Sequence, residues 1–228
     1  MFVSILGDSI STYQGFQPPG YAVYYQDYYR HINELNSVYD TWWAKVNQYL
    51  RAYICVDNAY SGSKVTGTEF PCACCAQRTG TLNTASAQPD IILVYLGFND
   101  FGSGEPVWGP WYAPERGTCF YGCYRRMLRQ VKTNYPQVAI ICATLMRGYV
   151  RGAEGSPFPE KYAGVPFEAY NDAIRRAVLK EGVMLADLAA SGNRYETLDG
   201  THPTAKGHVT LANGWIHYLT PLRERDAL

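Results

Sequence analysis

Five short runs of aliphatic and β-branched residues, continuous rather than alternating, constrain this chain more than any other feature. They are Phe2 to Leu6, Tyr53 to Val56, Ile91 to Leu96, Val138 to Cys142 and Val183 to Ala186. A strand with one wet face alternates apolar and polar side chains, whereas an unbroken run needs cover on both faces, as inside a parallel sheet flanked by helices. The intervening segments supply the cover: Tyr39 to Arg51, Tyr121 to Tyr135, Phe167 to Glu181 and Ala205 to Tyr218 read as helices. In the third, Phe167, Tyr170, Ile174, Ala177 and Val178 fall at helical spacing, and Gly182 follows as a stop. Strand and helix in alternation, with right-handed crossovers, predict an α/β fold: a three-layer α/β/α sandwich with about five parallel strands.

The 228 residues fit one domain spanning 1–228. Gly15 to Asn36, Gly62 to Pro89 and Gly102 to Gly117 are rich in glycine, proline and aromatics, without charge runs or repeats, and read as ordered surface loops. Lysine plus arginine and aspartate plus glutamate each number 20, so no basic patch suits nucleic acid or an anionic membrane. No run approaches the ~18 apolar residues of a membrane span. A core strand starting at Phe2 leaves no room for a signal peptide, so a cytoplasmic chain is the default expectation, with a secreted mature form as the alternative. The seven cysteines are an odd count, which suits a reducing compartment. Cys72-Ala-Cys74-Cys75 with Cys119-x-x-x-Cys123 has two readings, thiols or a structural metal, and its spacing is not that of a standard zinc knuckle. Cys55 and Cys142 lie in apolar runs and read as buried thiols.

Ligands of open parallel sheets bind beyond the carboxyl ends of the strands, and there the unusual residues fall. After the first run comes Gly7-Asp8-Ser9-Ile10. A serine at a strand-to-helix turn can project into the cleft while nearby N–H groups face a developing oxyanion; the same tetrapeptide could also cap a helix or cradle a phosphate. After the second run comes Asn58-Ala-Tyr-Ser-Gly62-Ser63, and after the third Gly97-Phe-Asn99-Asp100. Glycine permits close backbone approach and the asparagine amide is a neutral donor, both common parts of an oxyanion hole, although each is also ordinary turn chemistry. Near the C-terminus stands Asp199-Gly-Thr-His202-Pro203. This spacing lets the carboxylate reach Nδ1 of the histidine and fix the tautomer, so that Nε2 can accept a proton. Pro203 suits the first turn of the helix that follows. His31, His208 and His217 have no carboxylate at such spacing and read as structural or surface residues, and Asp8 as a turn anchor.

Together these four segments resemble the GDSL/SGNH hydrolase family, with counterparts for all four of its signature residues in Ser9, Gly62, Asn99 and His202. Ile10 stands where the family has leucine, a mild aliphatic change. The resemblance implies the flavodoxin-like fold of that family and an acyl-enzyme mechanism without metal or cofactor. Ser9 would be the nucleophile, His202 the general base and Asp199 its orienting carboxylate. The N–H groups of Ser9 and Gly62 and the amide of Asn99 would hold the oxyanion.

Tyrosine is the compositional outlier, with 20 residues. Tyr13, Tyr21, Tyr24, Tyr25, Tyr28 and Tyr29 crowd one loop, and Phe101, Trp108, Trp111 and Tyr112 follow the Asn99 block. Such rings could stack on a sugar, line an acyl pocket or pack the loops. Trp108, Trp111, Tyr24 and Arg78 are the expected substrate-binding residues. Gly7 to Val23, Asp40-Thr-Trp-Trp and the Cys-x-x-x-Arg-Thr motif at Arg78 resemble a bacterial branch of the family. The resemblance points to a small-molecule or oligosaccharide ester, with an acetyl group on a carbohydrate-like alcohol favoured over a lysophospholipid or thioester. A non-catalytic carbohydrate-binding domain and a flavodoxin-like nucleotide binder are the rivals from other classes. The first has no need of the whole serine, histidine, aspartate and asparagine set, and the second leaves Asp199 and His202 unexplained.

Overall fold

The computed structural model describes residues 1–109 and 118–225, with the backbone alone described at 29 and 30. Its strands, in chain order, are β1 (Phe2–Gly7), β2 (Tyr53–Ala59), β3 (Ile91–Tyr95), β4 (Ala139–Ala143), β5 (Arg147–Val150), β6 (Lys161–Tyr162), β7 (Val165–Pro166), β8 (Met184–Ala186) and β9 (Arg194–Thr197). The helices are α1 (Arg30–Asn33), α2 (Trp42–Leu50), α3 (Ala76–Thr79), α4 (Phe98–Gly102), α5 (Phe120–Asn134), α6 (Phe167–Glu181) and α7 (Ala205–Glu224).

The five apolar runs form one parallel sheet in the order β2-β1-β3-β4-β8. The fold class expected from sequence is therefore the one observed. β1 and β3 lie in the middle and are buried along almost their whole length, which is why neither alternates. The chain leaves β1 for its neighbour β2 and then crosses back to β3, so the winding direction reverses between β1 and β3. That reversal opens a crevice at the carboxyl ends of these strands. Helix α2 packs on α7, and α5 on α6. Right-handed crossovers put the two pairs on opposite faces.

Differences from the sequence reading have local causes. The helix expected from Tyr39 begins at Trp42, because the Thr41 hydroxyl accepts the Ala44 N–H as an N-cap and a separate 3-10 turn, Val38–Asp40, precedes it. Pro203 lies before the helix: Thr204 is the N-cap of α7, its hydroxyl accepting the Gly207 N–H. Helix α7 also runs on to Glu224, with Pro221 in its final turn. The pair β5–β9 is a parallel ribbon outside the main sheet, and the sequence reading did not anticipate it.

Candidate active site

The nucleophile candidate sits on a turn locked from several sides. Ser9 begins a 3-10 turn, Ser9–Ser11, directly beyond β1, capped by Asp8, whose Oδ1 accepts the Ile10 N–H at 3.0 Å. From α2, Trp42 Nε1 donates to Ser11 Oγ at 3.2 Å and Trp43 Nε1 to the Ser11 carbonyl at 2.9 Å. The Thr12 hydroxyl donates to the Ser9 carbonyl at 2.9 Å and accepts the Tyr24 N–H at 2.9 Å. Asp8 is buried, and burial pushes its carboxyl up to about 7 against the opposing effects of the Ile10 N–H and His202.

Ser9 Oγ lies 2.8 Å from Nε2 of His202, and His202 Nδ1 lies 2.7 Å from Oδ2 of Asp199. The other oxygen, Oδ1, accepts the N–H groups of Thr201 at 3.0 Å and His202 at 2.8 Å, so the carboxylate folds its own loop around itself. Partial burial works to raise the Asp199 pKa, but the hydrogen bond and charge of His202 with these two N–H groups outweigh it and hold the carboxyl at about 2. The loop hangs from the end of β9: the Leu198 N–H donates to the His202 carbonyl at 2.9 Å, and Thr197 bridges to Pro203. Two buried tyrosines hold its backbone, Tyr195 Oη donating to the Thr201 carbonyl at 2.8 Å and Tyr25 Oη to the Pro203 carbonyl at 2.9 Å.

The oxyanion-hole candidates flank β1 on either side. Gly62 follows β2 at φ +82°, a left-handed conformation that favours glycine. The N–H groups beside it are occupied, Ser61 donating to the Ala22 carbonyl and Ser63 to the Tyr60 carbonyl. Among the described residues, neither the Ser9 nor the Gly62 N–H has a protein acceptor. Asn99 stands in α4, beyond β3, and Gly97 at φ +136° makes the turn into that helix. One N–H of the Asn99 amide donates to the Ser63 carbonyl at 2.9 Å, which orients the other. Asp100 clamps the two loops together, its carboxylate accepting the N–H groups of Val65 at 2.8 Å and Thr66 at 2.9 Å. Burial nevertheless pushes Asp100 up to about 6.

The expected substrate contacts fare differently. Tyr24 stacks on the His202 imidazole, ring centroids 3.6 Å apart and planes 7° from parallel. It also borders a cavity of about 370 Å³ whose other lining residues are Val23, Gln26, Ile32, Asn33, Ser61 and Leu198. Arg78 is a correction: it is fully buried and spends all of its N–H donors inside the protein. Nε donates to Asn58 Oδ1 at 2.5 Å, Nη1 to Ser63 Oγ at 2.9 Å and the Pro71 carbonyl at 2.7 Å, and Nη2 to the carbonyls of Gly7 at 2.9 Å and Asn58 at 2.8 Å. It therefore braces the Gly62 loop against the end of β1, with nothing left for a ligand. Trp108 packs on Tyr121, under the Arg176 guanidinium, and the structure does not bring it to Ser9, Asp199 or His202. Trp111 and Tyr112, and the side chain of Tyr29, lie outside the described residues.

His208, read as structural, is buried, accepts the Trp42 N–H at Nδ1 and is held neutral by burial, which lowers it to about 3. A cation meets the cysteine cluster: Arg126 Nη2 donates to Cys74 Sγ at 2.8 Å and to the Gly67 carbonyl at 2.5 Å. Among the described residues no group of three or more histidines, cysteines or acids could hold a metal ion. Thr12 and Tyr195 were missed, because a lone threonine and tyrosine carry no pattern that marks them as supports of a site.

A five-stranded parallel sheet with its candidate site at the β1–β3 reversal defines an α/β domain of the flavodoxin-like kind. The chain belongs to the GDSL-like lipase/acylhydrolase family, whose model matches residues 1–147. Among solved structures it is similar to proteins described as GDSL-like lipases from Bacteroides uniformis and Bacteroides ovatus. The first is 25% identical with a TM-score of 0.73 over 96% of this chain and 95% of the other. The second is 22% identical with a TM-score of 0.72 over 96% of this chain and 98% of the other. A carbohydrate acetylesterase of Sinorhizobium meliloti shares the fold at 14% identity, with a TM-score of 0.64 over 97% of this chain and 99% of the other. No curated protein sequence matches the chain.

Proposed function

We propose that the protein is a serine hydrolase that cleaves carboxylic esters through an acyl-enzyme. The observation that carries this reading is the unbroken line from Asp199 through His202 to Ser9, with hydrogen bonds of 2.7 and 2.8 Å. Asp199, ionised across the neutral range, holds the proton on Nδ1 and leaves Nε2 free to take the serine proton. Ser9 Oγ then attacks the ester carbonyl, and charge passes to its oxygen. The N–H groups of Ser9 and Gly62 and the free amide N–H of Asn99 receive that oxyanion; each such donor is typically worth ~3 kcal/mol in the transition state. His202 returns the proton to the leaving alcohol, and water repeats the sequence on the acyl-enzyme.

For the substrate, the cavity beside Tyr24 is the guide. Its walls are aliphatic (Val23, Ile32, Leu198) and neutral polar (Gln26, Asn33, Ser61). Amide and hydroxyl groups beside an aromatic ring suit the uncharged hydroxyls of a carbohydrate-like alcohol, with a small acyl group such as acetyl on the ester. The acetylesterase among the similar structures acts on that kind of substrate. The test has two arms. A fluorophosphonate should label Ser9, with labelling and p-nitrophenyl acetate turnover both lost in Ser9→Ala; labelling elsewhere overturns the assignment. Across p-nitrophenyl esters, kcat/KM should fall from acetyl to octanoyl, and a steady rise would instead favour a lysophospholipase or thioesterase.

A further inference from the structure

We propose that Tyr24 is a positioning residue for His202: its ring fixes the plane of the imidazole and stabilises the imidazolium formed when Ser9 gives up its proton. The proposal rests on the serine-hydrolase reading and extends it to a residue outside the triad. A separation of 3.6 Å with planes only 7° apart is full face-to-face contact. Two neutral rings favour an offset or an edge-to-face approach, whereas a cationic ring over a tyrosine face is attracted to its quadrupole. The stack is therefore worth more after proton transfer than before, which is the condition for lowering a barrier.

The ring is held where it can act. The Tyr24 N–H donates to Thr12 Oγ1, and the Thr12 hydroxyl donates to the Ser9 carbonyl, so the backbone of Tyr24 is tied to the nucleophile turn. The Ala22 carbonyl accepts the Ser61 N–H at 2.8 Å, beside Gly62. Tyr25 reaches the Pro203 carbonyl. The segment Ala22 to Tyr25 thus touches the nucleophile turn, the Gly62 loop and the histidine loop. The Tyr24 hydroxyl faces the Asp199 carboxylate; burial first and that charge second push its pKa up to about 12, so the ring stays neutral at working pH.

The test compares Tyr24→Leu, which removes the ring, with Tyr24→Phe, which keeps it. Two quantities are measured: kcat and KM for p-nitrophenyl acetate, and the rate at which a fluorophosphonate modifies Ser9. Tyr24→Leu should lower kcat and the modification rate each about tenfold, the factor that ~1.4 kcal/mol supplies, with KM within about twofold of wild type. Tyr24→Phe should keep both rates within about threefold. A rise in KM with unchanged kcat and modification rate would overturn the proposal, leaving Tyr24 as a substrate contact alone. A tenfold loss in Tyr24→Phe would overturn it too, by assigning the effect to the hydroxyl. If Tyr24→Leu fails to fold, Tyr24→Gln is read in its place. Absence of Ser9 modification in the wild type would instead remove the hydrolase reading itself.

Discussion

The two halves of the candidate site are held in different ways. Ser9 is only 4% exposed and stands at the end of a central strand, with Trp42, Trp43 and Thr12 bonded to its turn and Arg78 bracing the adjoining loop. His202 and Asp199 sit on a loop at the end of a small ribbon, with side chains 17% and 48% exposed. What fixes the histidine is the hydrogen bonding of its own loop, two tyrosine hydroxyls and one stacked ring. Damage to the supports of the Ser9 side should therefore appear first as lost stability, and damage to the histidine side as lost rate in a folded protein.

The sharpest test of that division is Asp199→Asn. The amide oxygen can keep accepting the N–H groups of Thr201 and His202, so the loop and the melting temperature should change little. Its NH2 would face Nδ1, favour the wrong tautomer and leave the imidazolium without a counter-charge. In a comparable triad this change lowers kcat about 10⁴-fold. Steady-state kinetics beside a thermal melt check both halves. A large drop in Tm with little change in kcat of the folded fraction would erase the distinction between the two sides.

The converse variant is Arg78→Met. It strands the acceptors on Asn58, Ser63, Pro71 and Gly7 inside the protein, and since a buried acceptor left without its donor costs about 1–3 kcal/mol, the change should cost roughly 3–5 kcal/mol after partial relaxation. The melting temperature should fall by about 10 °C. Arg78→Lys should recover little of this, since an ammonium cannot match the planar fork. If the melt is unmoved while KM rises, Arg78 contacts substrate after all.

These same residues mark how far the sequence could be read. The five sheet strands were visible because burial on both faces leaves a continuous apolar run, and α6 was bounded correctly because Gly182 adopts the left-handed conformation, φ +63°, that ends a helix. Ser9 and Asn99 were singled out by short patterns directly after sheet strands, and Asp199 and His202 by their close spacing ahead of the last helix. Arg78 was misread for the opposite reason: its partners come from β1, β2 and two loop positions, and no window of sequence contains them together. The β5–β9 ribbon was missed because its strands are four residues each, carry arginine and glutamate, and pair across 47 positions. A tertiary contact of that span leaves no periodicity to detect.

The last prediction concerns pH and separates the two halves by the sign of their slopes. Asp8, beside Ser9, has its pKa raised by burial from 3.8 to about 7, and Asp100 is likewise raised to about 6. An acid whose folded pKa lies above its unfolded value binds more protons in the folded state, so stability falls as pH rises from about 4 to about 7. Asp199 is shifted the other way, to about 2, so its contribution is present above about 4 and fades as pH drops toward 2. Buried Asp57, also raised, adds to this fall, and buried His208, lowered to about 3, opposes it below about 6.5, so the wild-type Tm should decline by a few degrees between pH 5 and pH 8. Asp8→Asn keeps an oxygen for the Ile10 N–H but cannot ionise, so its slope over this interval should be shallower than that of the wild type. The comparison uses slopes and not absolute Tm, because among the described residues Asp8 Oδ2 has no hydrogen-bond partner and an amide NH2 there would bring its own constant penalty. Asp199→Asn should leave the decline above pH 5 intact. Equal slopes for wild type and Asp8→Asn in calorimetric melts would show that Asp8 does not carry the pH dependence.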